Sequence, residues 1–324
     1  MEEKSIWEDF IHFGEIGEFR LIADSEDCIV LRVENDTGEG DMIIYPVFDG
    51  IYLMYNDFHM AHYDSMYQAA ETVLAVDYCR EGSLIMECDN GFYQMKKSGN
   101  VCVDSRVHHK GVARFPASHF HGITIGFESP IAEKALTKEA PGIEIDLMTV
   151  RDKYCGKDGF SILKDNETLR RIFTDLYQVP ERARQNYFRT KILELLVCLS
   201  ALEKSGTKEE HTYFYRDQVE KTTVAMKLMT EDLRQSYTIE KLSDRFGLSA
   251  TALKDCFKSM YGKPIYTWLK EYRIQTACEL LMTQPEKSIG DIAFEVGYDS
   301  AGKFSGAFKK ICGMTPKEYR NQPY

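Results

Sequence analysis

The chain has 324 residues, which is enough for two or three domains with hydrophobic cores of their own. Its first ten residues are acidic and mixed, so no signal peptide is expected, and its most apolar run, residues 192–202, is too short to span a bilayer. Nine cysteines lie far apart without a CxxC pair, which argues against a disulfide framework and a zinc ribbon. These features predict a cytoplasmic protein that does not associate with membranes and binds no cofactor.

Charge divides the chain into two parts. The formal net charge of −11 argues, for the chain as a whole, against binding to a nucleic acid. Residues 1–210, however, contain 23 basic and 37 acidic residues, a net charge of −14, whereas residues 211–324 contain 17 and 14, a net charge of +3. An acidic surface repels a phosphate backbone, so only the C-terminal part is a candidate for binding DNA.

From Phe19 to about Phe127 the chain has short runs of β-forming residues separated by turns. The clearest runs are residues 28–33, 42–47, 51–55 and 73–78. A hairpin is expected where Asp89-Asn-Gly91 separates residues 84–87 from residues 92–95. Many short strands at close spacing predict an antiparallel barrel or sandwich, which would make residues 1–130 a β-rich domain.

After Glu128 the apolar periodicity becomes helical. Helices are predicted at residues 166–177 and 181–202, the second of them after Pro180, a favourable residue at a helix start. Apolar residues of the second helix recur at spacings of three and four and form one face: Ile192, Leu195, Leu196, Leu199 and Leu202. This face packs either on its own barrel or on a second subunit. A polar stretch at residues 205–211 then predicts a boundary, which makes residues 131–210 a helical middle segment.

Residues 211–324 consist of predicted helices with clear start and stop signals. A long helix is expected from Pro264 to Met282, before Pro285. Gly247 is suited to end a helix in the left-handed conformation. Hydroxyl side chains suited to capping helix starts are Thr238, Ser249, Ser288, Ser300 and Thr315.

One helical unit occurs twice in this part. Residues before the turn have counterparts 50 residues later: Ile239/Ile289, Leu242/Ile292, Phe246/Val296 and Gly247/Gly297. After the turn the offset is 51: Leu253/Phe304, Phe257/Phe308, Lys258/Lys309 and Gly262/Gly313. A repeat that survives a one-residue insertion rarely arises by chance. In each copy a tight glycine turn would join a supporting helix to a second helix, as in a helix-turn-helix that reads the major groove.

Residues 220–320, about a third of the chain, resemble the tandem helix-turn-helix domain of AraC/XylS-type transcription regulators. Besides the repeat, the resemblance rests on Tyr272-Arg273-Ile274 in the long helix, on residues 313–316 and on Tyr319-Arg320. It implies two recognition helices, joined by a rigid linker helix, that read successive major-groove segments of double-stranded DNA. The order of strands and then helices upstream is loosely similar to the family's cupin-like effector domain and dimerisation helices.

The predicted fold is therefore α+β. An N-terminal antiparallel, cupin-like β-barrel is followed by helices, and an all-α C-terminal domain contains two helix-turn-helix units.

The resemblance also indicates which side chains would face DNA. On the first recognition helix these are Ala250, Thr251, Lys254, Asp255 and Lys258. On the second they are Ala301, Gly302, Lys303, Ser305, Gly306, Lys309 and Lys310. Thr251 and Lys254 would reach base edges and Lys258 a phosphate. The family often has a basic or amide residue at Asp255 and arginine at Gly306, so we expect the first unit to carry most of the specificity.

Two histidines offer a competing interpretation. His119 and His121 on a strand would place both imidazoles on one face, as the metal ligands of cupins are placed. The carboxylate of cupin metal motifs lies closer to such a pair, so His119 and His121 are weak metal candidates. A metal-dependent cupin enzyme fused to a DNA-binding tail is one alternative, and a constitutive regulator whose barrel senses nothing is another.

The leading hypothesis is a transcription regulator rather than an enzyme. The sequence has no nucleophile elbow, P-loop or dinucleotide-binding fingerprint. The expected partners are double-stranded DNA, an unidentified small-molecule effector bound by the barrel, RNA polymerase and a second copy of the chain in a homodimer. Whether transcription is raised, as an activator would, or lowered is left open.

Overall fold

The computed structural model describes residues 10, 18–65, 72–87, 92–107, 111–156, 159–163, 166–203 and 213–322. The chain divides into two compact units, with the division between Tyr215 and Arg216. Among the helices in the described ranges, none combines the length and the apolar character needed to cross a bilayer.

In its described residues the first unit contains an antiparallel β-structure. The strands are β1 (Phe19–Asp24), β2 (Ile29–Asn35), β3 (Gly38–Phe48), β4 (Ile51–His59), β5 (His62–Ser65), β6 (Val73–Glu87), β7 (Phe92–Lys97), β8 (Val101–Asp104), β9 (Gly111–Arg114), β10 (Phe120–Glu128), β11 (Phe160–Leu163) and β12 (Tyr213–Tyr215). The main path of hydrogen-bonded neighbours is β1-β2-β3-β4-β10-β6-β7-β12, which forms a half-barrel. The predicted antiparallel β-rich unit is confirmed.

Strand β6 is longer than the sequence predicts. Residues 73–78 and 84–87 were expected as separate strands, but they belong to one strand of 15 residues. Gly82 allows this because it adopts a positive φ of 79°, and the pairing of β6 with β10 shifts register at the same level. The strands of the predicted hairpin do pair, with Glu87 opposite Tyr93, while the Asp89-Asn-Gly91 turn lies outside the described residues.

Four described helices belong to the first unit: α1 (Ser129–Glu139), α2 (Leu147–Cys155), α3 (Glu167–Asp175) and α4 (Arg184–Ala201), the last preceded by a 3-10 turn at Glu181–Ala183. The predicted apolar face of α4 is buried: Ile192, Leu195, Leu196 and Leu199 share one core with the sheet residues Leu53, Val76 and Ile125. Of the two alternatives for this face, the structure therefore shows packing on its own barrel.

The second unit is all-α in its described residues. Its helices are α5 (Arg216–Glu231), α6 (Ile239–Phe246), α7 (Ala250–Tyr261), α8 (Ile265–Thr283), α9 (Ile289–Glu295), α10 (Ala301–Cys312) and α11 (Pro316–Arg320). Each predicted cap accepts a hydrogen bond from the first turn of its helix: Thr238, Ser249, Ser288, Ser300 and Thr315.

The internal repeat is confirmed. Helices α6 and α9 begin 50 residues apart, and α7 and α10 begin 51 residues apart. The insertion follows the glycine of the turn: two residues separate Gly247 from α7, and three separate Gly297 from α10. There the Tyr298 ring packs against Phe304, with 5.5 Å between the ring centroids, so the longer turn is anchored to the core of its unit.

Candidate DNA-binding surface and barrel cavity

The first helix-turn-helix unit consists of α6 and α7. Helix α6 ends at Gly247, whose φ of 61° and ψ of 36° place it in the left-handed region that lets the chain turn sharply. The Ser249 hydroxyl then accepts from the Ala252 backbone N–H and starts α7. Leu242, Leu253 and Phe257 are buried between the helices. The apolar repeat residues are thus core, and α7 presents its opposite face to solvent.

The second helix-turn-helix unit repeats this arrangement with α9 and α10. The apolar residues Ile292, Val296, Phe304 and Phe308 are all fully buried. The Ser300 hydroxyl accepts from the Lys303 backbone N–H, so α10 begins at the residue predicted. Phe308 packs edge-on against Tyr319 of α11, with 5.5 Å between ring centroids, which ties the end of the chain to α10.

Arg273 on the linker helix α8 makes hydrogen bonds with residues on both sides of it in the C-terminal compact unit. Its guanidinium donates to the carbonyl oxygen of Gly297, in the second turn, at 3.2 Å. It also donates to the carbonyl oxygens of Leu233 at 2.6 Å and Gln235 at 3.2 Å, both in the segment between α5 and α6. One planar cation thus satisfies three carbonyls and ties both the turn of the second helix-turn-helix unit and the segment before α6 to α8.

The residues predicted to face DNA lie on the open faces of α7 and α10. On α7, Thr251, Lys254, Asp255 and Lys258 are exposed and Ala250 is half-buried. On α10, Ala301, Gly302, Lys303, Gly306, Lys309 and Lys310 are exposed and Ser305 is half-buried. The α7 face offers hydrogen-bonding groups at its centre. The centre of the α10 face carries two glycines, each with no atom within 4 Å of the place where a Cβ would be.

The half-barrel contains a cavity of about 110 Å³ that opens to solvent. Its walls are mostly apolar and aromatic, with residues from six strands: Leu31, Met42, Tyr52, Met54, Phe58, Tyr63, Leu84, Phe120 and Ile123. Burial raises the pKa of the Tyr63 phenol to about 12, so it stays neutral at physiological pH. An apolar pocket with a few polar groups is the usual form of a small-molecule site.

The polar part of the cavity wall is a buried ion cluster. Asp77 accepts from Lys96 Nζ at 2.6 Å, from Arg106 Nη2 at 2.6 Å and from Thr124 Oγ1 at 2.7 Å. Asp104 lies 3.4 Å from both cations. Burial alone would raise the pKa of Asp77, but the positive charges of Arg106 and Lys96 hold it well below its usual range. Asp77 therefore remains charged inside the barrel, beside Lys96 and Arg106.

Sequence reasoning missed this cluster. Its members come from β6, β7, β8 and the residues after β8, which are distant in the sequence. The available signal was an ionisable residue inside an apolar strand, such as Asp77 in the run of residues 73–78. A charge at such a position is almost always paired when buried.

His119 and His121 do not line the cavity. Both imidazoles do lie on one face, but it is the outer face of the sheet. Phe120, between them, lines the cavity instead, since neighbouring residues of a strand point to opposite sides. The cavity wall therefore lacks the His-x-His pair on which the metal-dependent cupin alternative depends.

Comparison with known proteins agrees with the geometry of the C-terminal compact unit, residues 216–324. A family model described as a helix-turn-helix domain matches residues 242–322. The virulence regulon transcriptional activator VirF of Yersinia enterocolitica is 34% identical over 122 residues, which are 38% of this chain and 40% of that protein. A putative AraC-like transcription regulator of Streptomyces lividans is 32% identical over 99 residues, 31% of this chain and 32% of that one. The chain thus spans less than half the length of these relatives.

Among solved structures, an AraC-type regulator from Chromobacterium violaceum is 29% identical, with 32% of this chain and 96% of that chain covered and a TM-score of 0.30. The sequence matches fall on the tandem repeat whose helices, caps and glycine turns are described above. The C-terminal part of this chain is therefore a tandem helix-turn-helix domain of the AraC type, which confirms the resemblance predicted for residues 220–320.

Proposed function

We propose that the protein is a sequence-specific DNA-binding transcription regulator, acts in the cytoplasm and responds to a small molecule bound in its barrel. The observation that carries the proposal is the pair of capped recognition helices, each with an exposed face opposite a fully buried core face. An α-helix presented in this way fits the major groove of B-DNA. Residues 211–324 also have a net positive charge, whereas the chain as a whole is acidic.

The opposite net charges of the two parts of the chain indicate which part binds DNA. The acidic barrel unit binds the effector, and residues 211–324 bind DNA. We also propose that the protein forms a homodimer and contacts RNA polymerase. The test is affinity selection of fragments of the source genome by the purified full-length protein, followed by sequencing. Discrete recovered sites support the proposal, and recovery that is sequence-independent and lost with modest salt contradicts it.

The two recognition helices are expected to contribute differently. Lys254 lies at the centre of the polar face of α7, whereas Lys303 on α10 lies 3.2 Å from Asp299 and has glycines for neighbours. We expect Lys254→Ala to reduce the preference for a selected site over scrambled DNA by about tenfold, the value of one good base contact. Lys303→Ala should weaken binding to both DNAs equally and lower the salt slope by about one.

The measurement is fluorescence anisotropy with both DNAs at several salt concentrations. Lys227→Ala, which removes an exposed lysine of α5, is the matched control for the loss of one charge. Equal loss of specificity from Lys254→Ala and Lys303→Ala would contradict the assignment.

The cavity supports effector sensing over the constitutive alternative. Its apolar walls and its charged cluster suit a small molecule with an apolar body and a group that hydrogen-bonds to Lys96, Arg106 or Asp77. A ligand at 100 times its Kd should raise the stability of the folded state by about 2.7 kcal/mol, and it regulates only if it also changes DNA affinity. A broad metabolite panel that alters neither thermal unfolding nor DNA affinity would leave the barrel as a scaffold.

A further inference from the structure

A cluster of imidazole and carboxylate groups lies on the outer face of the half-barrel. Strands β4 and β10 are paired so that His121 is opposite Asp57 and Phe120 is opposite Phe58. The two phenylalanines line the cavity, so the residues next to them, Asp57 and His59 on β4 and His119 just before β10, point the other way. These three side chains are exposed or half-exposed.

Their geometry is close to that of a metal site. One ligand atom from each of Asp57, His59 and His119 lies within 4.8 Å of the others. His59 Nε2 is 3.2 Å from Asp57 Oδ1, and the centroids of the two imidazole rings are 5.0 Å apart. Around a tetrahedral zinc ion, ligand atoms are separated by about 3.3 Å, as follows from zinc–ligand distances of about 2.0 Å. Rotation of exposed side chains covers the difference.

The surroundings add negative charge. Glu81 Oε2 lies 3.6 Å from His119 Nε2, while the Arg80 guanidinium lies 3.5 Å from Glu81 on its other side. A carboxylate beside a metal-binding histidine commonly orients the imidazole and strengthens its donor nitrogen. The pairing of β4 with β10 includes Asp57 and ends with Phe58 opposite Phe120, so His59 and His119 follow directly from the last paired residues.

We propose that Asp57, His59 and His119 bind a divalent transition-metal ion such as Zn²⁺, with water completing the coordination. Two imidazoles and one carboxylate favour zinc, cobalt, nickel and copper over magnesium and calcium, which prefer oxygen ligands alone. The site lies outside the cavity, and it is independent of DNA binding. An ion there would cross-link β4 to the residue that precedes β10, and the opposite faces of these two strands carry Asn56, Phe58 and Phe120 of the cavity wall.

The test is a titration of the full-length, metal-free protein with Co²⁺, whose visible absorption depends on its ligands, followed by competition with Zn²⁺. One equivalent should bind and give a spectrum of nitrogen and oxygen ligation without the intense near-ultraviolet band that a thiolate ligand produces. This band matters because the chain has nine cysteines. Mg²⁺ should not compete.

The double variant His59→Ala/His119→Ala should bind Co²⁺ at least about tenfold more weakly. His62→Ala, a variant of a histidine outside the cluster, should bind as the wild type does. Since His59 and His119 are at least one-third exposed, both variants should keep the wild-type thermal unfolding temperature in the absence of metal. Wild-type binding that survives in the double variant, or a spectrum dominated by thiolate ligation, overturns the proposal.

Discussion

Replacing Gly297 by alanine is expected to destabilise the C-terminal unit by about 3 kcal/mol, whereas Gly247→Ala at the equivalent position should cost about 1 kcal/mol. Both glycines have positive φ, 82° and 61°, so alanine is strained at either site. Only at Gly297 is the space also occupied. A Cβ there would lie 1.9 Å from the Leu233 carbonyl oxygen and 2.8 Å from the Arg273 guanidinium. At Gly247 the nearest atom is Lys221 Nζ, 4.0 Å away.

The comparison separates a conformational cost from a steric one within a single chain. Urea unfolding of the full-length protein followed by Trp268 fluorescence, with Trp7 replaced by phenylalanine, reports on this unit. Gly297→Ala should also lose DNA affinity, since it pushes Arg273 away from the carbonyls that it holds. Equal midpoints for the two alanine variants would mean that the close approach to Leu233 contributes nothing.

Replacing Lys96 by methionine is expected to destabilise the barrel by about 3–5 kcal/mol, because the change leaves two buried carboxylates with one cation. Asp77 and Asp104 are each less than 10% exposed, so water cannot replace the lost ammonium. Arg32→Met removes a cation from Asp41 on the surface, where both side chains are more than one-third exposed, and should destabilise the barrel far less. Far-ultraviolet circular dichroism during urea unfolding measures both.

The cost of Lys96→Met should depend on pH. In the wild type the pKa of Asp77 is lowered by folding, so the contribution of this carboxylate is present above its unfolded pKa of about 4 and is lost only in stronger acid. Without Lys96 the folded-state pKa of the carboxyl pair rises, and protonation relieves the unpaired charge. The difference between variant and wild type should therefore shrink as pH falls from 7 to 4. A difference that is constant over this range would show that lost packing, rather than charge, causes the destabilisation.

The C-terminal unit could be predicted almost helix by helix because its signals are local. Ser249 and Ser300 act on backbone amides three residues away, and Gly247 ends its helix through its own dihedral angles. The alternation of buried and exposed faces within α7 and α10 follows from a period of 3.6 residues. No partner distant in the sequence is needed to assign any of these features.

The barrel depends on pairings that local patterns do not specify. The spacing of His119 and His121 predicts that they share one face of a strand, but it does not say which face points inward, since that is decided by the packing of Phe120 against Phe58, about 60 residues earlier. The ion cluster escaped prediction for the same reason. Asp77, Lys96 and Arg106 meet only after β6, β7 and β8 have paired.

The length of the linker helix α8 restricts the spacing of the two DNA segments that the protein can contact. Helix α8 has 19 residues and is about 28 Å long. Arg273 ties the turn of the second helix-turn-helix unit and the segment before α6 to this helix. Two helix-turn-helix units at a fixed separation can contact only major-groove segments on the same side of the duplex, about one helical turn of DNA apart. Operators should therefore tolerate many base changes between the two contacted segments, but not a changed distance. An insertion of five base pairs would turn one segment to the far side of the DNA, so selection should preserve spacing more strictly than spacer sequence.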